Sequence, residues 1–299
     1  MALVGGALTV ASLTIGSAGA GSADASARAQ SRVPEAINQG SVCLGGTTAS
    51  DLNRLFDTEP GGVVGADYQR PLPLPDGRVL GLFQDGAVRT GPGSITVVHN
   101  IAMLQDGSCF EVLYGGTRSQ PTPFLFASRT DPFRHWFWPL DGEMGTDGRL
   151  YVFVAEMVEQ TDTYLTRTVP TGTHVVAFDP ATNSVTWEGR PPNSSSALYG
   201  WSITSDEHWT YLYAQCYRQF GFDLYIFTDA FDADCSADVT VGRVPRSKLF
   251  DPLSYWDGSS WQSSPAAAAP VIETAGRRIN ANQIEWTGSS FFSVNKEGD

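Results

Sequence analysis

Apolar and polar residues alternate over short runs along most of the chain, and this period of two predicts β-strands. Each run is bounded by Gly, Pro, Asp or Asn, which is typical of strands joined by tight turns. The predicted strands are RVLGLFQDG, SITVVHNIAML, CFEVLYGG, RLYVFVAEM, THVVAFD and SVTWEG. Asp-Gly turn pairs stand at 76–77, 106–107, 147–148 and 257–258. One short helix is predicted in SDLNRLF, and the rest of the pattern indicates an all-β protein.

The strands recur in a fixed order as four similar units. The units begin near Gly65, at His135, at Leu198 and at Ala281, and each is a strand, a polar turn and an aromatic-rich strand. Repetition of this kind is typical of a β-propeller, because one blade cannot bury both of its faces alone. The fourth unit stops at Asp299, so we expect a propeller that ends after about three and a half blades. A β-sandwich is the alternative architecture, since short strands also build that fold.

Three segments are expected along the chain. Residues 1–29 are small and apolar and end in an A-x-A pattern, as a secretory signal peptide does, although no Lys or Arg precedes the apolar run. Residues 30–64 form a polar lead, and residues 65–299 form the propeller domain. A membrane anchor is the alternative for the first segment, but its many Gly, Ala and Ser residues suit a spanning helix poorly. We therefore expect a secreted, extracellular protein with no stable membrane insertion after signal cleavage.

Composition narrows the class of protein and its partners. The chain is 41% hydrophobic and 17% charged, so a substantial core is expected, and its net charge of −13 argues against binding to nucleic acid. Its four cysteines allow two disulfides, with three possible connectivities. Cys216 and Cys235 flank one loop-like stretch, so we pair them and leave Cys43 with Cys109. No CxxC spacing occurs, which argues against structural zinc.

An ordered set of motifs carries a family resemblance over residues 65–299. The motifs are GADYQRPLPLPDGRVLGLFQD, VVHNIAMLQDG, FWPLDGEM, LYGWSITSD, VGRVP and YWDGSSW. They resemble a domain-of-unknown-function family of secreted bacterial proteins, expected to be five-bladed β-propellers related to arabinanase- and levansucrase-type glycoside hydrolases. The family's second strand ends in Gly-Asp-Thr, whereas this chain keeps Asp85 between Gln84 and Gly86. The family's Arg-Asn step stands here as His99-Asn100. The resemblance implies the fold more strongly than any activity.

Glycoside hydrolysis requires two carboxylates, one on each side of the scissile bond. The resemblance places the base at Asp67, which opens the first inner strand, and Asp85 is expected to support Asp67 or bind substrate. Glu143 is our preferred acid over Asp141, which precedes a glycine like a turn residue, and over Glu156, which could face channel or solvent. Each carboxylate also has a structural alternative, because turn and strand-end carboxylates commonly bond backbone amides or water.

Aromatic residues at the starts of the inner strands are expected to bind sugar, because ring faces stack on the apolar faces of sugars. About half of them should instead be core, on the two-residue period. Arg218 is expected to bind the carboxylate of an acidic sugar or to form a salt bridge. The predicted substrate-binding residues are His99, Asn100, His135, Trp136, Trp138, Tyr199, Trp201 and Arg218. Asn282 is expected at the same channel mouth.

The sequence therefore leaves two functions open. The first is a secreted, monomeric, glycoside hydrolase-like propeller that acts on or binds an extracellular polysaccharide or oligosaccharide. The second is a non-catalytic propeller that binds glycan or protein through the same aromatic mouth. An enzyme should bring Asp67 and a second carboxylate within roughly 5 to 9.5 Å of each other. No organic cofactor is expected, and the resemblance allows a calcium ion in the channel although no EF-hand loop specifies one.

Overall fold

A computed structural model describes residues 37–46, 48–55, 58–125, 134–161, 166–192, 197–216, 219–223, 226–230, 238–273 and 278–298. These residues form twenty β-strands, one α-helix (α1, Ala49–Asn53) and 3₁₀ turns at Pro60–Gly62 and Pro265–Ala267. The all-β prediction is confirmed, and every predicted strand lies in an observed one. The predicted short helix corresponds to α1, which begins at a capping box between Thr48 and Asp51.

The first sheet contains seven strands and includes part of the polar lead. The strands are β1 (Ile37–Cys43), β2 (Val63–Ala66), β3 (Arg70–Pro73), β4 (Val79–Gly91), β5 (Ser94–Asp106), β6 (Cys109–Thr117) and β7 (Gln120–Thr122). Their order is β1-β6-β5-β4-β2, with β3 beside β4 and β7 beside β6. Cys43 and Cys109 face each other across β1 and β6 and form the predicted disulfide. Part of the polar lead is therefore bound into this sheet through β1 and the start of β2.

Three further antiparallel sheets follow in chain order. The second contains β8 (His135–Met144), β9 (Leu150–Thr161), β10 (Thr166–Asp179), β11 (Ser184–Gly189), β14 (Gln219–Asp223) and β15 (Ile226–Ala230). The third contains β12 (Ala197–Ser205), β13 (Trp209–Cys216), β16 (Thr240–Pro245), β17 (Ser254–Trp256) and β18 (Trp261–Gln262). The fourth contains β19 (Arg278–Trp286) and β20 (Phe291–Gly298).

The last three repeated sequence units each begin in the first strand of a sheet, whereas the first unit begins in β2, after β1. The first strand of each later sheet packs on the sheet before it: β8 contacts β3, β4 and β5, β12 contacts β8, β9 and β10, and β19 contacts β12. Two large apolar clusters fill the spaces between the first and second sheets and between the second and third. These sheets establish the all-β class, whereas the five-bladed propeller remains a prediction. No helix among the described residues is long and apolar enough to cross a membrane.

The first strands of the last three sheets share one irregularity. The pairing register shifts between Pro139 and Gly142 in β8, between Tyr199 and Ser202 in β12, and between residues 280 and 283 in β19. A β-bulge leaves residues without a partner in the ladder and turns their groups in a new direction. Gly200 has a φ of 104°, and a Cβ there would lie 2.5 Å from Phe153, so the bulge of β12 requires glycine.

Candidate functional site

Asp67 and Asp85 meet where the loop between β2 and β3 crosses the middle of β4. The amide of Asp67 donates to the carbonyl of Asp85 at 3.0 Å, and the amide of Gln84 donates to the carbonyl of Asp67 at 3.2 Å. The amide of Asp85 in turn donates to Oδ1 of Asp67 at 3.0 Å. Backbone bonds therefore fix the Asp67 carboxylate beside β4, and its side chain still reaches solvent.

The carboxylate of Asp85 is held by two ring N–H groups from different sheets. Its Oδ1 lies 2.7 Å from Nδ1 of His99, the residue directly opposite on β5, and 3.0 Å from Nε1 of Trp138 on β8. Because a carboxylate only accepts hydrogen bonds, His99 must carry its proton on Nδ1. These two bonds fix the orientation of the Asp85 carboxylate.

Trp136 completes this group by stacking on His99. The two rings are nearly parallel, with centroids 4.5 Å apart and an interplanar angle of 16°, and Trp136 also meets Trp138 edge to face at 5.7 Å. Trp136 is buried, and its Nε1 has no hydrogen-bond partner in the described part of the chain. The structure thus brings together five of the predicted residues, and we call them the Asp67–Asp85 site. They are Asp67, Asp85, His99, Trp136 and Trp138.

Asp67 has a raised affinity for protons in this site. Partial desolvation by the surrounding protein and the adjacent charge of Asp85 raise the pKa of Asp67 above its ordinary value. The carboxylate of Asp85 accepts hydrogen bonds from the ring N–H groups of His99 and Trp138, which fix its orientation. An acid with a raised pKa beside a second, oriented carboxylate is an arrangement that acid–base chemistry uses.

Asn100 is turned away from this site although it follows His99. It is fully buried with a φ of 62°, its side-chain amide donates to the carbonyl of Phe137 at 2.7 Å, and its Oδ1 accepts from the amide of Leu125 at 2.7 Å. Both polar ends of the side chain are therefore used in joining β5 to β8 and to the chain after β7.

His135 lies on the other face of β8 and belongs to a second polar cluster around Glu156. Oε1 of Glu156 lies 2.7 Å from Nε2 of His135, and Oε2 lies 2.9 Å from Nε2 of His174. Arg190 also forms an ion pair with Oε2. We call Glu156, His135, His174 and Arg190 the Glu156 cluster. The hydrogen bonds from His174 and His135 lower the pKa of Glu156 to about 2, so this carboxylate is held ionised.

Two members of the Glu156 cluster were not singled out by sequence reasoning. His174 stands in the apolar run THVVAFD and is buried between Phe137 and Trp187, whose ring centroids lie 5.4 and 4.5 Å from its own. Its Nδ1 has no hydrogen-bond partner among the described residues. A histidine inside an apolar strand run was the available signal, because a buried imidazole requires a polar partner.

Arg70 and Asp141 form a buried polar centre where the bulged strands meet. Arg70 is 2% exposed and donates to the carbonyls of Leu140 at 3.3 Å and Trp201 at 3.1 Å, which the bulges of β8 and β12 turn toward it. Asp141 is 3% exposed and accepts from the amide of Ile203 at 2.8 Å. Asp141 is thus a bulge residue inside β8, and the interpretation of it as a turn residue was wrong.

Burial dominates the acidity of Asp141. Desolvation raises its pKa to about 6, against the opposing effects of the nearby Arg70 charge and two backbone hydrogen bonds. Asp141 therefore titrates near neutral pH, but it contacts the interior of three sheets rather than an open cleft. Its role here is to balance the charge of Arg70.

Glu143 lies at the opposite end of β8 from His135. It stands five positions after Trp138, a separation of roughly 15 Å along a strand. Its carboxylate accepts from the hydroxyls of Ser205 and Thr210, the latter at 2.8 Å. It lines a cavity of about 490 Å³ together with Met144, Gly145, Thr146, Asp147, Arg149, Tyr151, Thr186, Trp187, Glu188, Gly189, Ser247, Leu249 and Phe250. The structure therefore does not bring Glu143 to the Asp67–Asp85 site.

The remaining predicted residues are core residues or lie outside the described chain. Tyr199 is buried against Tyr255, and its hydroxyl lies 3.1 Å from that of Thr240. Trp201 is buried edge-on to Tyr68 at 5.7 Å. Arg218 and Cys235 lie outside the described residues, as do the side chains of Cys216 and Asn282, so the second predicted disulfide and these two site residues are not described.

The described residues offer no group of three or more His, Cys, Asp or Glu side chains that could hold a metal ion. The Asp67–Asp85 site presents two carboxylates, one imidazole and two indole N–H groups, whereas calcium takes about six to eight oxygen ligands. A calcium ion therefore does not fit this set of residues.

The fold of this chain is similar to that of a protein of known structure. The chain matches no functionally curated protein. One similar solved structure is the crystal structure of a "putative hydrolase" from Bacteroides ovatus, with 15% sequence identity, a TM-score of 0.61, and coverage of 90% of this chain and 71% of that chain. Likeness at this identity shows the fold alone and carries no substrate. Neither this structure nor the family below tests the expected kinship with arabinanases and levansucrases.

The profile of a domain of unknown function, DUF5005, matches residues 50–299. The match begins in α1 and includes the strands from β2 to β20, and therefore every residue of the Asp67–Asp85 site. Because it spans most of the sequence, the chain belongs to the DUF5005 family.

Proposed function

We propose that this protein is a secreted, propeller-type glycoside hydrolase that cleaves an extracellular polysaccharide or oligosaccharide at the Asp67–Asp85 site. The observation that carries the proposal is the direct contact between Asp67 and Asp85, which lie 18 residues apart on different segments. The disulfide between Cys43 and Cys109 supports export, because such bonds persist in oxidising compartments.

The two carboxylates supply the groups that hydrolysis requires. Asp67, with its raised pKa and solvent-exposed side chain, donates a proton to the leaving glycosidic oxygen as the C–O bond breaks. Asp85 faces the positive charge that develops at the anomeric carbon. Water adds its hydroxyl to that carbon, and its remaining proton returns to the Asp67 carboxylate. This assignment gives Asp67 the role of acid, where the resemblance implied a base.

The aromatic side chains support a carbohydrate as the substrate. Trp136 and Trp138 flank the carboxylates, and Trp138 is half-buried, so part of its ring is available to the apolar face of a sugar. The net charge of −13 and two adjacent carboxylates disfavour a polyanionic substrate. A neutral glycan satisfies both conditions.

A non-catalytic glycan-binding function is the second candidate. It is favoured by one observation, namely that protein donors already occupy Oδ1 of Asp85 and both oxygens of Glu143. Carboxylates saturated in this way orient other groups well and accept substrate protons poorly.

The test is a screen of neutral polysaccharides for release of reducing sugar and for binding, with the wild type beside Asp67→Asn and Asp85→Asn. Asp106→Asn is the matched control, because Asp106 is exposed and Asn-Gly forms the same tight turn as Asp-Gly. Hydrolysis by the wild type and the control that falls at least a hundredfold in both site variants supports the enzyme. Binding without release, weakened in the site variants, supports the second candidate, and a loss confined to Glu143→Gln overturns the placement of the site.

A further inference from the structure

The face of the β4–β5 hairpin that carries the Asp67–Asp85 site continues beyond it as an apolar surface. Asp85 lies opposite His99, the next pair on that face is Ala87 and Val97, and the pair after it is Arg89 and Ile95. Residues two apart on a strand face the same side, and the pairing is regular over this stretch. Ala87, Val97 and Ile95 therefore lie beside the contact of Asp85 with His99, and we call these three residues the apolar strip.

The apolar strip is open to solvent. Ile95 is 54% exposed and Val97 is 56% exposed. Single exposed aliphatic residues are common, but here two neighbours adjoin a polar site on the same face. The far end is closed by Arg89, whose guanidinium forms two hydrogen bonds of 2.8 Å with Glu59. The distance along β5 from His99, beside the strip, to Ile95 at its far end is roughly 14 Å, which corresponds to four residues of extended chain.

We propose that the apolar strip is a subsite of the Asp67–Asp85 site, and that the substrate is a glycan bearing an acyl or alkyl group. This proposal rests on the proposed function. A sugar held between Asp67, Asp85 and Trp138 directs a substituent on one side along β5, over Val97 and then Ile95. The strip is two residues wide and consists of three residues. Each partner of a stable protein complex buries roughly 800 Å² of surface, which is much more than this strip offers, so the strip fits a substituent rather than a protein.

The experiment titrates the protein with octyl and methyl β-glycosides of glucose, galactose and xylose and follows the backbone amide signals of Val97 and His99 by NMR. The double variant Ile95→Thr/Val97→Thr keeps the β-branched shape while removing apolar surface. We expect an octyl glycoside to bind at least tenfold more tightly than its methyl counterpart, and the double variant to lose about tenfold of that affinity. Val294→Thr, at an equally exposed valine on β20 (59%), should change nothing.

The outcomes separate this proposal from the proposed function. Octyl and methyl glycosides that bind equally, both sensitive to Asp67→Asn, overturn the apolar strip and leave the hydrolase site standing. Binding of octyl glycosides that depends on Ile95 and Val97 but is indifferent to Asp67→Asn would show a separate apolar site and overturn the strip as a subsite of the Asp67–Asp85 site. If no glycoside shifts the Val97 signal, the strip is not a subsite.

Discussion

Asp67 and Asp85 are linked by a hydrogen bond of 3.0 Å from the amide of Asp85 to Oδ1 of Asp67, although their carboxylate charges repel each other. The backbone thus holds together two acids that would separate in the unfolded chain. Proteins commonly maintain such opposing interactions at functional sites, where stability is lower than the local structure would allow. The folded protein is therefore less stable when Asp67 is ionised.

Asp67→Asn should therefore raise stability at neutral pH. The pKa of Asp67 is higher in the folded protein than in the unfolded chain, so ionisation of Asp67 lowers stability as the pH rises above its ordinary value of 3.8. The asparagine oxygen can still accept the Asp85 amide. We expect a higher melting temperature than the wild type at pH 7 and a difference that shrinks toward pH 3, measured by thermal unfolding. Asp106→Asn should show no such pattern, and a lower melting temperature for Asp67→Asn at pH 7 contradicts the assignment.

The substitution His99→Phe removes the hydrogen bond to Asp85 while keeping the ring stack on Trp136. Phenylalanine can keep the stack on Trp136 but cannot donate to Asp85, which loses one of its two ring donors. Hydrogen bonds to charged groups contribute about 1.5–3 kcal/mol, so ligand binding or turnover should fall at least tenfold. The melting temperature should fall as well, because the same hydrogen bond contributes to folding stability. His208→Phe, at an exposed histidine, is the matched control, and equal ligand affinity in both variants would remove His99 from the site.

Arg70→Met should destabilise the protein at the polar centre where three sheets meet. The substitution leaves Asp141 buried without its cation and the carbonyls of Leu140 and Trp201 without a donor. Removal of the cation near a buried carboxylate leaves that charge uncompensated, which costs about 3–5 kcal/mol and is measurable by urea unfolding at pH 7. Because the charge of Arg70 lowers the pKa of Asp141, the deficit should be smaller at pH 5, where Asp141 holds a proton. Arg54→Met on the surface should cost nearly nothing.

Much of the fold could be predicted from the sequence because its signals are local. Alternation marked the strands, and turn pairs such as Asp76-Gly77 and Asp147-Gly148 marked their ends, where both glycines have positive φ. Asp141-Gly142 has the same letters but lies within β8, because β9 pairs on both sides of it around a bulge. A bulge depends on the partner strand, so no local pattern distinguishes this pair from a turn.

Only part of the candidate site could be predicted, because strand pairing cannot be seen in the sequence. The positions of Asp67, Asp85, His99, Trp136 and Trp138 at strand ends and starts placed them on one side of the protein, and the structure joins them. Glu143 was preferred as the acid because Asp141 resembled a turn residue and Glu156 could face either the channel or solvent. Its distance along β8 separates it from the site, and only the pairing of the strand, which the sequence does not show, fixes which end lies near Asp67.

The Glu156 cluster allows the sharpest measurement of stability against pH. Its carboxylate is mostly buried, with 15% of the side chain exposed, and it accepts from His135, His174 and Arg190. Because its pKa is lowered from 4.5 to about 2, the folded state favours the ionised form. The stabilisation is fully present above the unfolded pKa and is lost as the pH falls from 4.5 toward 2.

Glu156→Gln should accordingly be less stable than the wild type at pH 7 by about 3 kcal/mol, since each unit of pKa shift corresponds to about 1.4 kcal/mol. The glutamine amide has a similar shape but no charge, so three basic side chains lose the anion that they surround. The deficit should disappear as the pH approaches 2, where the wild-type carboxylate also takes up its proton. Urea unfolding across this range measures it, with Glu207→Gln at an exposed site as the control. A deficit that stays constant down to pH 2 would mean that Glu156 stabilises the fold through shape rather than charge.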